Sequence, residues 1–120
     1  MERVVVVGAS NNPERYSNKA MKMLAEYGHE PLPVAPAVAE VEGHPAVASL
    51  TEVSGPVDTV TMYVGPARQG ELLDAIVALR PRRVIFNPGT ENPEAYARLD
   101  AAGIAHLEAC TLVLLRTGQF

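Results

Sequence analysis

Apolar and polar positions along the chain follow two alternating rhythms. Val4 to Val7 is an unbroken β-branched run, the pattern of a strand covered on both faces, and it stops at Gly8-Ala9-Ser10-Asn11-Asn12-Pro13. Beyond that loop Ala20, Met21, Leu24 and Tyr27 recur at helical spacing, with Ser17 positioned to cap the helix and Gly28 to end it at positive φ. Leu32 to Ala35 predicts a second strand. It belongs near a sheet edge, because Pro31, Pro33 and Pro36 have no N–H to give to a ladder. Residues 40–53 predict a very short edge strand around His44 to Val47 and a turn of helix at Ser49 to Val53. Val57 to Val64 is the next strand. Gly65-Pro66 then opens a helix with Leu72, Leu73, Ile76, Val77 and Leu79 on its apolar side, and Pro81 stops it. Arg83 to Phe86 is a strand, and Asn87-Pro88-Gly89 a loop. A helix capped by Asn92, with Pro93 at its first position, carries Tyr96, Leu99 and Ala102 and closes at Gly103. Ile104 to Ala109 is the last strand, and Thr111 to Phe120 a short helix or tail.

Strands separated by helices imply right-handed crossovers and a parallel sheet covered on both faces. The expected fold is therefore α/β: a Rossmann-like, doubly wound parallel sheet in a single three-layer α/β/α domain spanning residues 1–120. In that order the strand at 57–63 returns beside the first strand, and the ligand crevice opens at the C-terminal ends of the strands. The candidate site is then read from those ends: Gly8, Ala9 and Ser10; Ala35 and Pro36; Tyr63, Val64, Gly65 and Pro66; Asn87, Pro88 and Gly89; and Cys110.

Composition narrows the picture. The 120 residues are 48% hydrophobic and 20% charged, enough for one self-supporting core. A net charge of −4, only 5% aromatic residues and no tryptophan argue against a nucleic-acid surface and an anionic-membrane surface. The single cysteine makes no internal disulfide, the N-terminus lacks a signal-peptide pattern, and no apolar run reaches the roughly 18 residues of a membrane span. A cytoplasmic protein is expected. The 9 glycines and 10 prolines are not a low-complexity tract; they punctuate the strand ends and helix starts.

At the first of those ends, free N–H groups and the dipole of the following helix favour a phosphate. Arg15 and Lys19 flank the turn, and Ser10, Asn12, Ser17 and Asn18 add hydroxyl and amide donors. The dinucleotide fingerprint G-x-G-x-x-G reads here Gly8-Ala9-Ser10-Asn11-Asn12-Pro13, with only its first glycine, and Ala35-Pro36 stands where an acid would take a ribose 2′-hydroxyl. NAD is thus disfavoured, and no G-x-x-x-x-G-K-S/T loop occurs.

Val6-Val7-Gly8-Ala9-Ser10, Asn12-Pro13-Glu14-Arg15-Tyr16-Ser17, Gly28-His29-Glu30 and Leu32-Pro33-Val34-Ala35-Pro36 resemble the small stand-alone CoA-binding proteins. Those proteins in turn are similar to the N-terminal CoA-binding domain of the succinyl-CoA synthetase α subunit. Asp58-Thr59-Val60, Asn87-Pro88-Gly89-Thr90-Glu91-Asn92, Ala102-Gly103-Ile104 and Glu108-Ala109-Cys110 extend the resemblance over nearly the whole chain. It implies a module that holds coenzyme A or an acyl-CoA, with pyrophosphate over Gly8 to Ser10 and adenosine against Val34, Ala35 and Pro36. The pantetheine would pass Tyr63 to Gly65 towards Asn87 to Gly89. The chain departs from that family's pattern where Ala35 replaces an asparagine and Ala37-Val38-Ala39 lacks the lysine that follows the proline. A cation for the 3′-phosphate must then come from elsewhere, with Arg15, Lys19 and His44 as candidates. Phe86-Asn87-Pro88-Gly89 also lacks the family's usual glutamine.

The chain shows no nucleophile-plus-base pattern, so binding without catalysis is expected. His106, Glu108 and Cys110 alternate along one strand, but H-x-E-x-C spreads over more than about 10 Å at about 3.3 Å per residue, too far to converge on one metal ion. No metal is expected. Cys110, at the ligand face, would lie near the thiol of a bound CoA, within reach of a mixed disulfide if partly exposed. His29 reads as surface, and Glu91 as an acid favoured in the first turn of a helix. Two rival readings are an NAD(P)- or nucleotide-dependent enzyme subunit that needs a partner, and a ligand-free interaction module of the same fold. The apolar stretch Thr111 to Leu115 with Phe120 suggests a homodimer.

Overall fold

Val4 to Val7 form the middle of the molecule because a β-branched run buries well only when both of its faces are covered. In the computed structural model, which describes residues 1–120, this segment is β1 (Arg3–Val7), and its four valines are almost wholly inaccessible. It is followed by α1 (Tyr16–Glu26), β2 (Glu30–Val34), the two-residue strands β3 (Glu40–Val41) and β4 (His44–Pro45), β5 (Thr59–Met62), α2 (Gly70–Leu79), β6 (Arg83–Phe86), α3 (Pro93–Ala101), β7 (Ala105–Glu108) and α4 (Thr111–Arg116). Single 3₁₀ turns lie at Leu50–Glu52 and Pro66–Arg68.

The main sheet has the order β2-β1-β5-β6-β7, every pair parallel. The order reverses at β1, which is flanked by β2 and β5, so the switch point lies between Gly8 and Tyr63 as expected. The alternating side chains of β1 are divided between two cores. Val5 and Val7 pack with Leu73, Ile76 and Leu99 of α2 and α3, whereas Val4 and Val6 pack with Met21, Leu24 and Leu115 of α1 and α4. This is the three-layer α/β/α arrangement of a Rossmann-like fold. The proline-bearing β2 is indeed an edge, and its outer side is covered in part by residue 47: Val47 N–H donates to Pro33 O (3.1 Å) and Ala35 N–H to Val47 O (2.9 Å). The short strand predicted near His44 is one arm of the β3–β4 hairpin.

Two local expectations are corrected. Ser17 does not cap α1: the helix starts at Tyr16 after an extended Arg15, and Ser17 lies buried inside its first turn. The reason is the Asn12 turn, in which Asn12 Oδ1 accepts from Glu14 N–H and Asn12 O from Arg15 N–H, bringing the chain into helical geometry early. Asn92 stands at the cap position of α3, but its side-chain amide is drawn to Gln69 Oε1 (3.0 Å) instead of capping. Within the apolar C-terminal stretch Leu112 and Leu115 are buried and Val113 is exposed, and Phe120 packs on His29 (4.9 Å between ring centroids) and beneath Arg83 (4.6 Å). No helix is long and apolar enough to cross a membrane.

Candidate functional site

Because all five strands of the sheet run parallel, their C-terminal ends bring five loops to one rim. Three depressions lie along it. The first, about 550 Å³, is lined by Gly8, Ala9, Ser10 and Arg15 after β1, Val34 and Pro36 after β2, Ser49 and Leu50, and Tyr63, Val64, Arg68, Glu71 and Leu72 after β5. The second, about 220 Å³, shares Gly8, Arg15 and Tyr63 with it and adds Tyr16, Ser17, Gly65, Pro88, Gly89 and Thr90. The third, about 310 Å³, shares Tyr16, Tyr63 and Pro88 with the second and adds Lys19, Asn87, Cys110, Leu112 and Arg116. They adjoin one another through shared walls, with Tyr63 common to all three, and are described as the three parts of one trough.

Most of the expected residues meet on this trough. Gly8, Ala9, Ser10, Arg15, Val34, Pro36, Tyr63 and Val64 line its first part, Ser17, Gly65, Pro88 and Gly89 its second, and Lys19, Asn87 and Cys110 its third. Asn12, Asn18 and Ala35 do not line it. Asn12 spends its carbonyl on the turn described above. Asn18 is wholly buried, its amide donating to Ser10 O and Glu42 Oε2 (2.9 Å each), which fastens the first loop to the β3–β4 hairpin. Ala35 is buried in the α1–α4 core. His44 is likewise absent from the trough, held in the hairpin.

Other contributors escaped sequence reading. Arg68, Ser49 and Leu50 enter the first part, and Tyr16 and Arg116 the others. Gln69 lines nothing yet holds two loops together from a fully buried position. Its Nε2 donates to Val64 O and Thr90 O (2.8 Å each), clamping the loop after β5 to the loop after β6. Its one sequence signal is a glutamine at the start of a helix with no capping role, which is too weak to have singled it out. Asn87 works in the same way. Its Nδ2 donates to Thr61 Oγ1 (2.7 Å) and Met62 O (2.9 Å), while its Oδ1 accepts from Thr111 N–H (2.9 Å). Both amide donors and one acceptor site of the side chain are used by these bonds. Its job at the trough is to fix the ends of β5, β6 and α4.

The electrostatics oppose those of the whole chain. In a protein of net charge −4, the trough is lined by Arg15, Arg68, Lys19 and Arg116 against one carboxylate, Glu71. None of the four cations is ion-paired; the chain's ion pairs use Arg3, Arg82, Arg83, Arg98 and His106. Lys19 Nζ stands 5.3 Å from the Tyr16 ring centroid. At the start of α1 the N–H groups of Tyr16 and Ser17 have no intrahelical acceptor, as at any helix start, and add to the positive potential. The last strand contributes little to the trough. His106 stacks on Tyr96 (4.8 Å) and bonds Asp100 (2.8 Å), and Tyr96 Oη donates to Glu108 (2.7 Å), so both chain positions are engaged with α3. Only Cys110, half-buried just before α4, turns up at the site. Glu91 is taken by the Gly89 N–H (2.9 Å).

Tyr63 is the anomaly of the floor. Its hydroxyl is buried without a hydrogen-bond partner, near a Thr61–Thr111 pair that bond each other (2.8 Å). Burial above all pushes its phenol from 10.0 up to about 12; the nearby threonine hydroxyls pull it back only in part. Unfolded tyrosine ionises first, so the part of the stability linked to this group is fully present below 10.0 and is lost as the pH rises through about 12. Tyr63→Phe removes an unsatisfied polar atom. It is expected to raise stability at neutral pH by about 1 kcal/mol and to flatten this alkaline loss, measured by denaturant melts at several pH values. A variant less stable than wild type at neutral pH would show that the hydroxyl is satisfied in solution.

Residues 2–116 match the model of a family described as a CoA binding domain. The uncharacterized protein YneT of Bacillus subtilis (strain 168) is 35% identical over 106 residues, which span 85% of this chain and 76% of that protein. Among solved structures, an uncharacterized protein is similar with a TM-score of 0.94 at 40% identity, over 100% of this chain and 98% of the other. A Thermus thermophilus protein is similar with a TM-score of 0.89 at 31% identity, over 99% of this chain and 91% of the other.

Proposed function

The chain belongs to the CoA binding domain family, and from that premise we propose that it binds coenzyme A or an acyl-CoA along the trough and performs no chemistry on its own. The observation that carries this reading is the row of three adjoining depressions along one rim, lined by four cations and one carboxylate in an acidic protein. The first part holds the nucleotide, with adenosine against Val34 and Pro36 and the pyrophosphate near Gly8, Ser10, Arg15 and the start of α1. The pantetheine follows Tyr63 and Gly65 past Pro88 and Gly89, and the thiol end enters the third part beside Cys110. Arg68, which lines the nucleotide end and has no ion-pair partner, supplies the cation that the residues after Pro36 lack.

Thermal-shift or calorimetric titration with CoA, acetyl-CoA, 3′-dephospho-CoA, NAD, NADP and ATP tests this. CoA at a hundred times its dissociation constant is expected to stabilise the protein by about 2.7 kcal/mol. Arg68→Gln is expected to cost several-fold in affinity for CoA and little for dephospho-CoA, so that the two ligands converge. Stabilisation by NAD(P) or ATP without any by CoA would favour a nucleotide-dependent enzyme subunit instead, and no stabilisation by any of them a ligand-free interaction module.

A further inference from the structure

The four cations of the trough fall into two groups. Arg15 and Arg68 line the first part, where the proposed function seats the phosphates, whereas Lys19 and Arg116 line only the third. They come from different helices, Lys19 from α1 and Arg116 from the last turn of α4, and are exposed. No carboxylate lines that third part, and its remaining walls are Tyr16, Tyr63, Asn87, Pro88, Cys110 and Leu112. Asn87 has no free side-chain donor for a ligand's oxygen there, since both of its amide N–H groups are spent within the fold. The only charges open to a ligand there are thus two unpaired positive ones, beside the apolar surfaces of Tyr16, Pro88 and Leu112.

A CoA thiol or an acetyl group brings no negative charge to match them. In the orientation proposed above, the phosphates lie at the other end. Resting on that reading, we infer that the preferred ligand is an acyl-CoA whose acyl chain ends in a carboxylate, with the chain against Tyr16, Pro88 and Leu112 and the carboxylate between Lys19 and Arg116. The carboxylate gains from two cations at the edge of a partly desolvated depression, where charge-assisted hydrogen bonds are stronger than in open solvent. A neutral acyl chain of equal length gains only the apolar contact. Discrimination therefore resides in the terminal charge.

Calorimetric titration with malonyl-CoA and propionyl-CoA, which share a three-carbon chain and differ in the terminal carboxylate, tests the inference, with CoA titrated alongside. The wild-type protein is expected to bind malonyl-CoA about tenfold more tightly than propionyl-CoA. In Arg116→Gln, a change at an exposed side chain outside the core, the ratio is expected to fall to about twofold. Equal affinities in the wild type, with CoA itself binding, would overturn this inference and leave the proposed function standing. So would a ratio that persists in Arg116→Gln while the affinities for CoA and both esters drop together, because the third part would then hold phosphates. Failure of all three ligands to bind would overturn the proposed function and this inference with it.

Discussion

Asn87→Ala is expected to destabilise the protein by about 3 kcal/mol, lowering the melting temperature by roughly 10–15 °C. Asn87 is 2% exposed, and its side chain makes three hydrogen bonds, two to β5 and one to α4. Alanine leaves the Thr111 N–H and the Met62 carbonyl buried without partners. Each such orphan costs about 1–3 kcal/mol, well above the net worth of an ordinary hydrogen bond. The damage falls where β5, β6 and α4 converge on the third part of the trough, so affinity for a CoA ligand should fall as well. Chemical denaturation measures the stability. A loss under about 1 kcal/mol would mean that water or a shift of α4 satisfies the orphans.

Gly8→Ala is expected to cost about 2–3 kcal/mol and to abolish detectable CoA binding. Gly8 has φ of 87°, which disfavours any L residue by roughly 1–2 kcal/mol. An added Cβ would also lie 3.1 Å from Tyr63 O and 3.1 Å from Val64 Cγ2, and a backbone carbonyl gives way poorly. Relief requires the ends of β1 and β5 to part, which displaces the turn on which the pyrophosphate is proposed to rest. Gly89 provides the control. Its φ is 92°, but nothing lies within 4 Å of its would-be Cβ, so Gly89→Ala should show the conformational cost alone, about 1 kcal/mol. Equal losses at the two positions would show that the close approach of β1 and β5 contributes nothing.

Both side-chain clamps illustrate why site residues were only partly legible. Gly8, Ser10, Tyr63 and Pro88 were readable because a parallel sheet sends its strand ends to one rim, and strand ends are marked by a change of periodicity and by glycine or proline. Asn87 was readable as a rim residue for the same reason, but its role was not: an asparagine after a strand reads as a donor to ligand until its three partners are known. Asn18 shows the opposite outcome. It sits near the phosphate turn in the chain, yet its place on the first turn of α1 rotates it inward to Ser10 O and Glu42. Arg68 and Arg116 gave no local signal at all, because an exposed arginine on a helix looks alike wherever that helix points.

What the amino-acid order determined by itself is therefore the layered fold, its edge strand and its rim. Val4 to Val7 demanded two covered faces, Pro31 and Pro33 demanded an edge, and alternation of strands with helices demanded parallel crossovers; each is a local constraint with a single economical solution. What only the tertiary structure decided is which polar side chains face the trough and which are spent holding it together. That choice depends on helix rotation and on hydrogen bonds between residues tens of positions apart, such as Thr111 to Asn87 and Gln69 to Thr90. Burial penalises every unpaired polar group, so the fold settles those pairings jointly across its loops, and no single stretch of sequence contains both partners.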